Sequence, residues 1–169
     1  MKKVTLIMSL AVMSLTLMAQ GPVDRVFTKY SQVEGVTSVQ VSRAMMNMLS
    51  NVDNEDENFK TLVQSVNSIN ILHVPETHGG NGKIDFYKEI IQDLPAEKYN
   101  ELMRVNSPEQ NILFLVEENG GLAREFLVVV GGRKENVLIS IKGNLDMSKL
   151  ASLSAINAPG MNHLMNLQK

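Results

Sequence analysis

Apolar residues recur along this chain with two periods, and the switches between them divide it into elements. From Pro22 to Tyr30, the residues Val23, Val26, Phe27 and Tyr30 fall three and four apart, one face of a short helix with Pro22 in its first turn. After Glu34-Gly35 the period drops to two: Thr37, Val39 and Val41 alternate with Ser38, Gln40 and Ser42, which predicts a strand with one buried face. Ser42 is placed to cap a helix carrying Ala44, Met45, Met48 and Leu49. A second helical stripe, Phe59, Leu62, Val63 and Val66, follows the acidic loop Asp53-Asn54-Glu55-Asp56-Glu57. Ile69 to Val74 is an apolar run of strand length, closed by Pro75 because proline cannot donate to a ladder. Beyond the loop Thr77-His78-Gly79-Gly80-Asn81-Gly82, a helical pattern of Ile84, Tyr87, Ile90, Ile91 and Leu94 breaks at Pro95. It resumes with Tyr99, Leu102 and Met103, which predicts two helices at an angle.

The C-terminal third changes register again. Ile112 to Val116, Arg124 to Val130 and Asn136 to Lys142 are separated by Glu118-Asn119-Gly120-Gly121 and Gly131-Gly132-Arg133-Lys134, the turn chemistry of a three-stranded meander. Phe126 to Val130 is apolar at every position, so this middle strand is expected near the sheet centre with both faces covered. In the next strand Val137, Ile139 and Ile141 alternate partly with Ser140 and Lys142. A short helix from Asp146 to Ile156, carrying Leu150 and Leu153, closes the domain, and 158–169 reads as a tail. The expected fold is α+β: one domain over 20–157, with helices packed on a five-stranded, mixed or mainly antiparallel sheet that ends in the meander.

The N-terminus sets the expected compartment. Lys2 and Lys3 precede an uncharged apolar run from Val4 to Leu17, and Leu17-Met18-Ala19 places a small residue before Gln20-Gly21-Pro22. Residues 1–19 therefore read as a cleaved secretory signal with Ala19 at the cleavage point, the run being short for a membrane span. The expected product is exported, periplasmic or extracellular, without a stable membrane anchor. The chain has no cysteine, which excludes a lipid-bearing N-terminal Cys, disulfides and thiolate metal sites. Without Lys2 and Lys3, 14 Lys and Arg face 18 Asp and Glu, a net charge of −4 that offers no footprint for nucleic acid.

Candidate chemistry is sparse. His73, His78 and His163 are too scattered for a ligand set, and no cofactor is implied. The loop His78, Gly79, Gly80, Gly82 and Lys83 stands between a strand and a helix, where backbone N–H groups can meet an anion, and it is the one speculative binding loop. It fails the P-loop spacing, with Thr77 where the first glycine belongs and Ile84 in place of the hydroxyl residue. Asp53, Glu55 and Asp56 suit a hard cation, but Asn58 and Gln64 occupy the glycine and glutamate positions of a calcium loop. Met45, Met46 and Met48 could form an adaptable binding surface or bind copper, but methionine at helical spacing is more often gap-filling core. No Gly-x-Ser-x-Gly elbow is present and no catalytic residue is assigned. These features favour a non-enzymatic module that binds an envelope protein, a peptide or a small ligand. The alternative is a hydrolase or isomerase whose site, such as Glu76 with His73 or His78, meets only in the fold.

Five segments in order, Val23 to Tyr30, Glu34 to Val39, Phe86 to Ile90, Tyr99 to Val105 and Asn136 to Asp146, resemble the exported Bacteroidetes family known as domain of unknown function 4252. The resemblance spans nearly the whole chain after the signal. It implies the cell envelope of an anaerobic Gram-negative bacterium and no activity or catalytic residue to carry over. Many members resemble lipoproteins, from which this chain departs in having no Cys.

Overall fold

A computed structural model describes residues 21–51, 57–76, 84–95 and 97–146. The predicted signal with Ala19, the acidic loop 52–56, the loop containing His78, Gly79, Gly80, Gly82 and Lys83, and the helix and tail beyond Asp146 lie outside the described residues. The element order is α1 (Pro22–Tyr30), β1 (Thr37–Val41), α2 (Arg43–Ser50), α3 (Glu57–Ser65), β2 (Val66–Val74), α4 (Phe86–Asp93), β3 (Tyr99–Asn106), β4 (Gln110–Asn119), β5 (Leu122–Gly132) and β6 (Asn136–Leu145). The fold is α+β, with a single six-stranded sheet in the order β1-β2-β6-β5-β4-β3 and every neighbouring pair antiparallel.

The helix starts follow local chemistry. Ser42 caps α2 by accepting from the Met45 N–H, and Asp85 caps α4 by accepting from Lys88 N–H. Gly120 and Gly121, at φ 65° and 81°, sit at the centre of the β4–β5 hairpin, where a two-residue turn of this twist needs positive φ twice. Gly131 meets a different demand. A Cβ there would collide with Asp85 Oδ1 and lie 2.6 Å from Tyr87 Cβ, so a bare backbone lets the start of α4 close onto β5.

Two expectations fail at Tyr99–Asn106. This segment is a strand, not a helix, and it raises the count from five to six. The residues Tyr99, Leu102 and Met103 mimic a helical stripe because a bulge between Glu101 and Met103 inserts an extra residue and breaks the period of two. Pro95 begins no helix; Lys98 N–H bonds to Pro95 C=O in a turn that feeds β3. The α3 stripe is also shorter than its pattern, since Val66 already belongs to β2. The three-stranded meander is present with longer strands, and β3 extends it to four. Among the described residues every strand pair is antiparallel and none is parallel.

Each face of the sheet has its own core. On one face α1 and α4 bury Val23, Val26, Phe27, Tyr30, Phe86 and Ile90 against Leu72, Leu113, Leu127, Val129 and Leu138. On the other, Met46 of α2 and Val63 of α3 pack over Val66, Val116, Ala123 and Leu145. No described helix is long and apolar enough to cross a membrane.

Candidate functional site

Strand pairing sorts the second face into rows of side chains running across the whole sheet. The row nearest α2 and α3 is Val41, Ile69, Ile141, Phe126 and Val116, and these belong to the second core cluster. The next row is Val39, Ile71, Ile139, Val128, Phe114 and Met103, one apolar residue from each of the six strands. A third row holds Thr37, His73, Val137, Val130, Ile112 and Val105. No residue of these last two rows belongs to either core cluster. Val39 is 42% exposed and Met103 40%, and the aliphatic residues between them are half-buried. Phe114 touches the covered row through Phe126, ring centroids 6.3 Å apart.

The sequence expected both faces of Phe126 to Val130 to be covered. Instead Leu127 and Val129 are fully buried, whereas Phe126, Val128 and Val130 are half-buried, because the α2–α3 pair reaches only the first of the three rows. The alternation in β6 is inverted relative to hydropathy. Leu138 and Ser140 are buried, while Val137, Ile139 and Ile141 are half-buried on the other face. With strands about 4.8 Å apart and same-face residues about 6.8 Å apart, two rows over six strands have a footprint of about 400 Å², apolar except for Thr37 and His73 at the β1–β2 edge. Exposed patches of that size on a monomer are often functional.

A second constellation went undetected in the sequence. At one end of the helix-covered face, strand pairing lines up Ser68, Lys142, Glu125, Glu117 and Tyr99. Glu125 is 5% exposed and its carboxylate accepts from two hydroxyls, Ser140 at 2.5 Å and Tyr99 at 2.6 Å. Burial first, and then the bond to Glu125, push the Tyr99 pKa upward, so this hydroxyl holds its proton and donates. Lys142, directly opposite Glu125, reaches Asp24 of α1 at 2.6 Å. This network joins α1, β3, β5 and β6, and no buried side-chain polar atom among the described residues lacks a partner. Its geometry is that of a satisfied structural knot.

The remaining candidates are placed as follows. His73, between Thr37 and Val137 in the third row, pairs with Glu135, Nε2 to Oε2 3.3 Å, and that contact joins neither Glu76 nor a nucleophile. Met46 is core, whereas Met45 and Met48 are exposed. A groove of about 440 Å³ between α1 and α4 is lined by Arg25, Lys29, Glu89 and Asp93, whose charges are spent on each other at 2.9 and 3.0 Å. Among the described residues no group of three or more His, Asp or Glu side chains is placed to hold a metal ion.

Comparison with curated proteins and with solved structures gives no match. A family model does match, over residues 30–153, which takes in every strand and all the described helices except α1, whose last residue it includes. The chain therefore belongs to the family described as domain of unknown function (DUF4252).

Proposed function

We propose that this protein is an exported, non-enzymatic binding module that takes an apolar segment of an envelope protein or peptide on the open rows of its sheet. The observation that carries the reading is the pair of rows themselves. Central strands β5 and β6 place β-branched residues on a face that no described helix covers beyond the first row. Burying such a surface against a partner is favourable in proportion to its area, at roughly 25 cal/mol per Å². Export rests on the Lys2-Lys3 start, the apolar run behind it and Ala19. N-terminal sequencing of the secreted protein is expected to begin at Gln20; an intact Met1 would contradict export by cleavage.

The binding surface is tested by capture from an envelope extract with three baits: the wild type, Val128→Lys, and a form with Gly79 to Gly82 shortened. A partner held by the wild type and the shortened loop but lost by Val128→Lys fits the reading. A partner lost with the loop and kept by Val128→Lys moves the site to the glycine loop.

A further inference from the structure

We propose that β1 is a self-pairing edge: two copies of this chain join antiparallel through Thr37–Val41, about a two-fold axis at Val39, into one continuous sheet. The inference does not depend on the reading of the open rows and goes beyond it. The outer strands of a sheet carry unpaired backbone N–H and C=O groups, and natural proteins blunt such edges with bulges, charges or proline. Edge strand β3 is blunted in this way. It has a bulge between Glu101 and Met103, and its Glu101 and Arg104 form an ion pair at 2.5 Å. Edge strand β1 has none of these devices. It carries no charge, proline or glycine, and its register against β2 is unbroken from Thr37 opposite His73 to Val41 opposite Ile69. Among the described residues β2 is its only strand partner, and Thr37, Val39 and Gln40 are exposed.

The sequence of β1 makes a second copy the fitting partner. A two-fold axis normal to the sheet keeps each face on its own side, as antiparallel neighbours require, and centring it on Val39 engages every residue of the strand. On the face of the open rows Val39 then meets its own counterpart and Thr37 meets Val41; on the opposite face Ser38 meets Gln40. Apolar side chains thus meet apolar or β-branched ones, polar meets polar, and no charge stands opposite a like charge. About four to six backbone hydrogen bonds close the pair. Val39 ends the second row, so pairing carries that row through both copies, with their open rows on one side of the joined sheet. An edge this short buries less than the ~1,200 Å² of a stable complex, so the dimer is reversible and concentration-dependent.

The test is sedimentation of the secreted protein from about 5 to about 500 μM, where the wild type is expected to pass from monomer to dimer. Val39→Lys and Val39→Glu each set like charges across the axis and stay monomeric, and an equimolar mixture of the two restores the dimer. Val128→Lys, on β5 and away from the edge, keeps the dimer while losing the envelope partner of the open rows. Cooperative urea unfolding verifies that each variant is folded. A second measurement exploits the lack of cysteine in the chain. Val39→Cys places two Cα atoms directly opposite, within the ~4.4–6.8 Å span of a disulfide, whereas those of Ser38→Cys stand about 8 Å apart. Val39→Cys is therefore expected to oxidise to a covalent dimer several-fold faster than Ser38→Cys. A wild type monomeric throughout, equal oxidation of the two cysteine variants, or a mixture of the charged variants that stays monomeric overturns the proposal. A dimer that survives Val39→Lys also overturns it, as does one dissociated by Val128→Lys, which would place the copies face to face on the open rows.

Discussion

Tyr99→Phe removes one hydroxyl from the Glu125 network and leaves the ring in place. Glu125 is 5% exposed and has two hydroxyl donors, so the variant leaves one carboxylate oxygen without its partner. A hydrogen bond to a charged group contributes about 1.5–3 kcal/mol. Tyr99 itself is only half-buried, so water can replace part of the loss and the lower end, about 1.5 kcal/mol, is expected. With a urea slope of about 1–3 kcal/mol per M, the unfolding midpoint at pH 7 should fall by roughly 0.5–1.5 M. The same hydroxyl governs alkaline stability. Tyr99 and Tyr30 both have raised pKa values, each chiefly through burial and next through a carboxylate partner, Glu125 and Glu89 respectively. An unfolded tyrosine releases its proton near pH 10, so above that point the unfolded state binds fewer protons than the native one. Stability is therefore intact below about pH 10 and falls as pH rises beyond it, by up to about 1.4 kcal/mol per pH unit for each such tyrosine. Tyr99→Phe should lose its share of that slope while Tyr30 keeps its own. Urea titrations at pH 7, 10 and 11 test both parts. A Phe variant as stable as the wild type at pH 7, with the same alkaline slope, would refute the account of Glu125.

Gly131→Ala is expected to cost about 1–3 kcal/mol, since its methyl meets Asp85 and the backbone of Tyr87; thermal unfolding reads this directly. Asn136→Ala should cost about 1–3 kcal/mol, because the fully buried Asn136 Oδ1 accepts from Phe86 N–H at 3.2 Å and its amide donates to Gly132 C=O. Hydrogen exchange at Phe86 should accelerate in that variant, and an unchanged rate would count against the contact. Gly121→Ala, at φ 81°, should lose about 1–2 kcal/mol from turn strain alone, as nothing lies within 4 Å of the added methyl. Arg25→Ala should change stability by less than 1 kcal/mol in urea, because its pair with Asp93 is exposed on both sides.

Much of the architecture was readable because local signals agreed with it. The α1 stripe, the Ser42 cap and the glycine hairpin each carry their chemistry within a few residues. The Tyr99 strand was not readable, because a bulge at its centre erased the period of two. The polar network was hidden for another reason: Tyr99, Glu125, Ser140 and Lys142 come from three strands and meet only through pairing. One sign was present. Glu125 shares its parity with the buried Leu127 and Val129, which placed a carboxylate on a covered face. The open rows could not be seen at all, since hydropathy gives Val128 and Val129 the same value and only the reach of α2 and α3 tells them apart.

The central claim is that the uncovered rows, and not the opposite face, meet the partner. A benzophenone amino acid placed at Val128, on the open rows, or at Gln40, whose strand partner Asn70 pairs with buried Ser140 on the opposite face, tests it in the exporting cell. Light-dependent cross-linking to one discrete envelope partner from position 128, and from position 40 to nothing but a second copy of the chain, is the predicted result. The same envelope partner captured from both positions, or from position 40 alone, would contradict it.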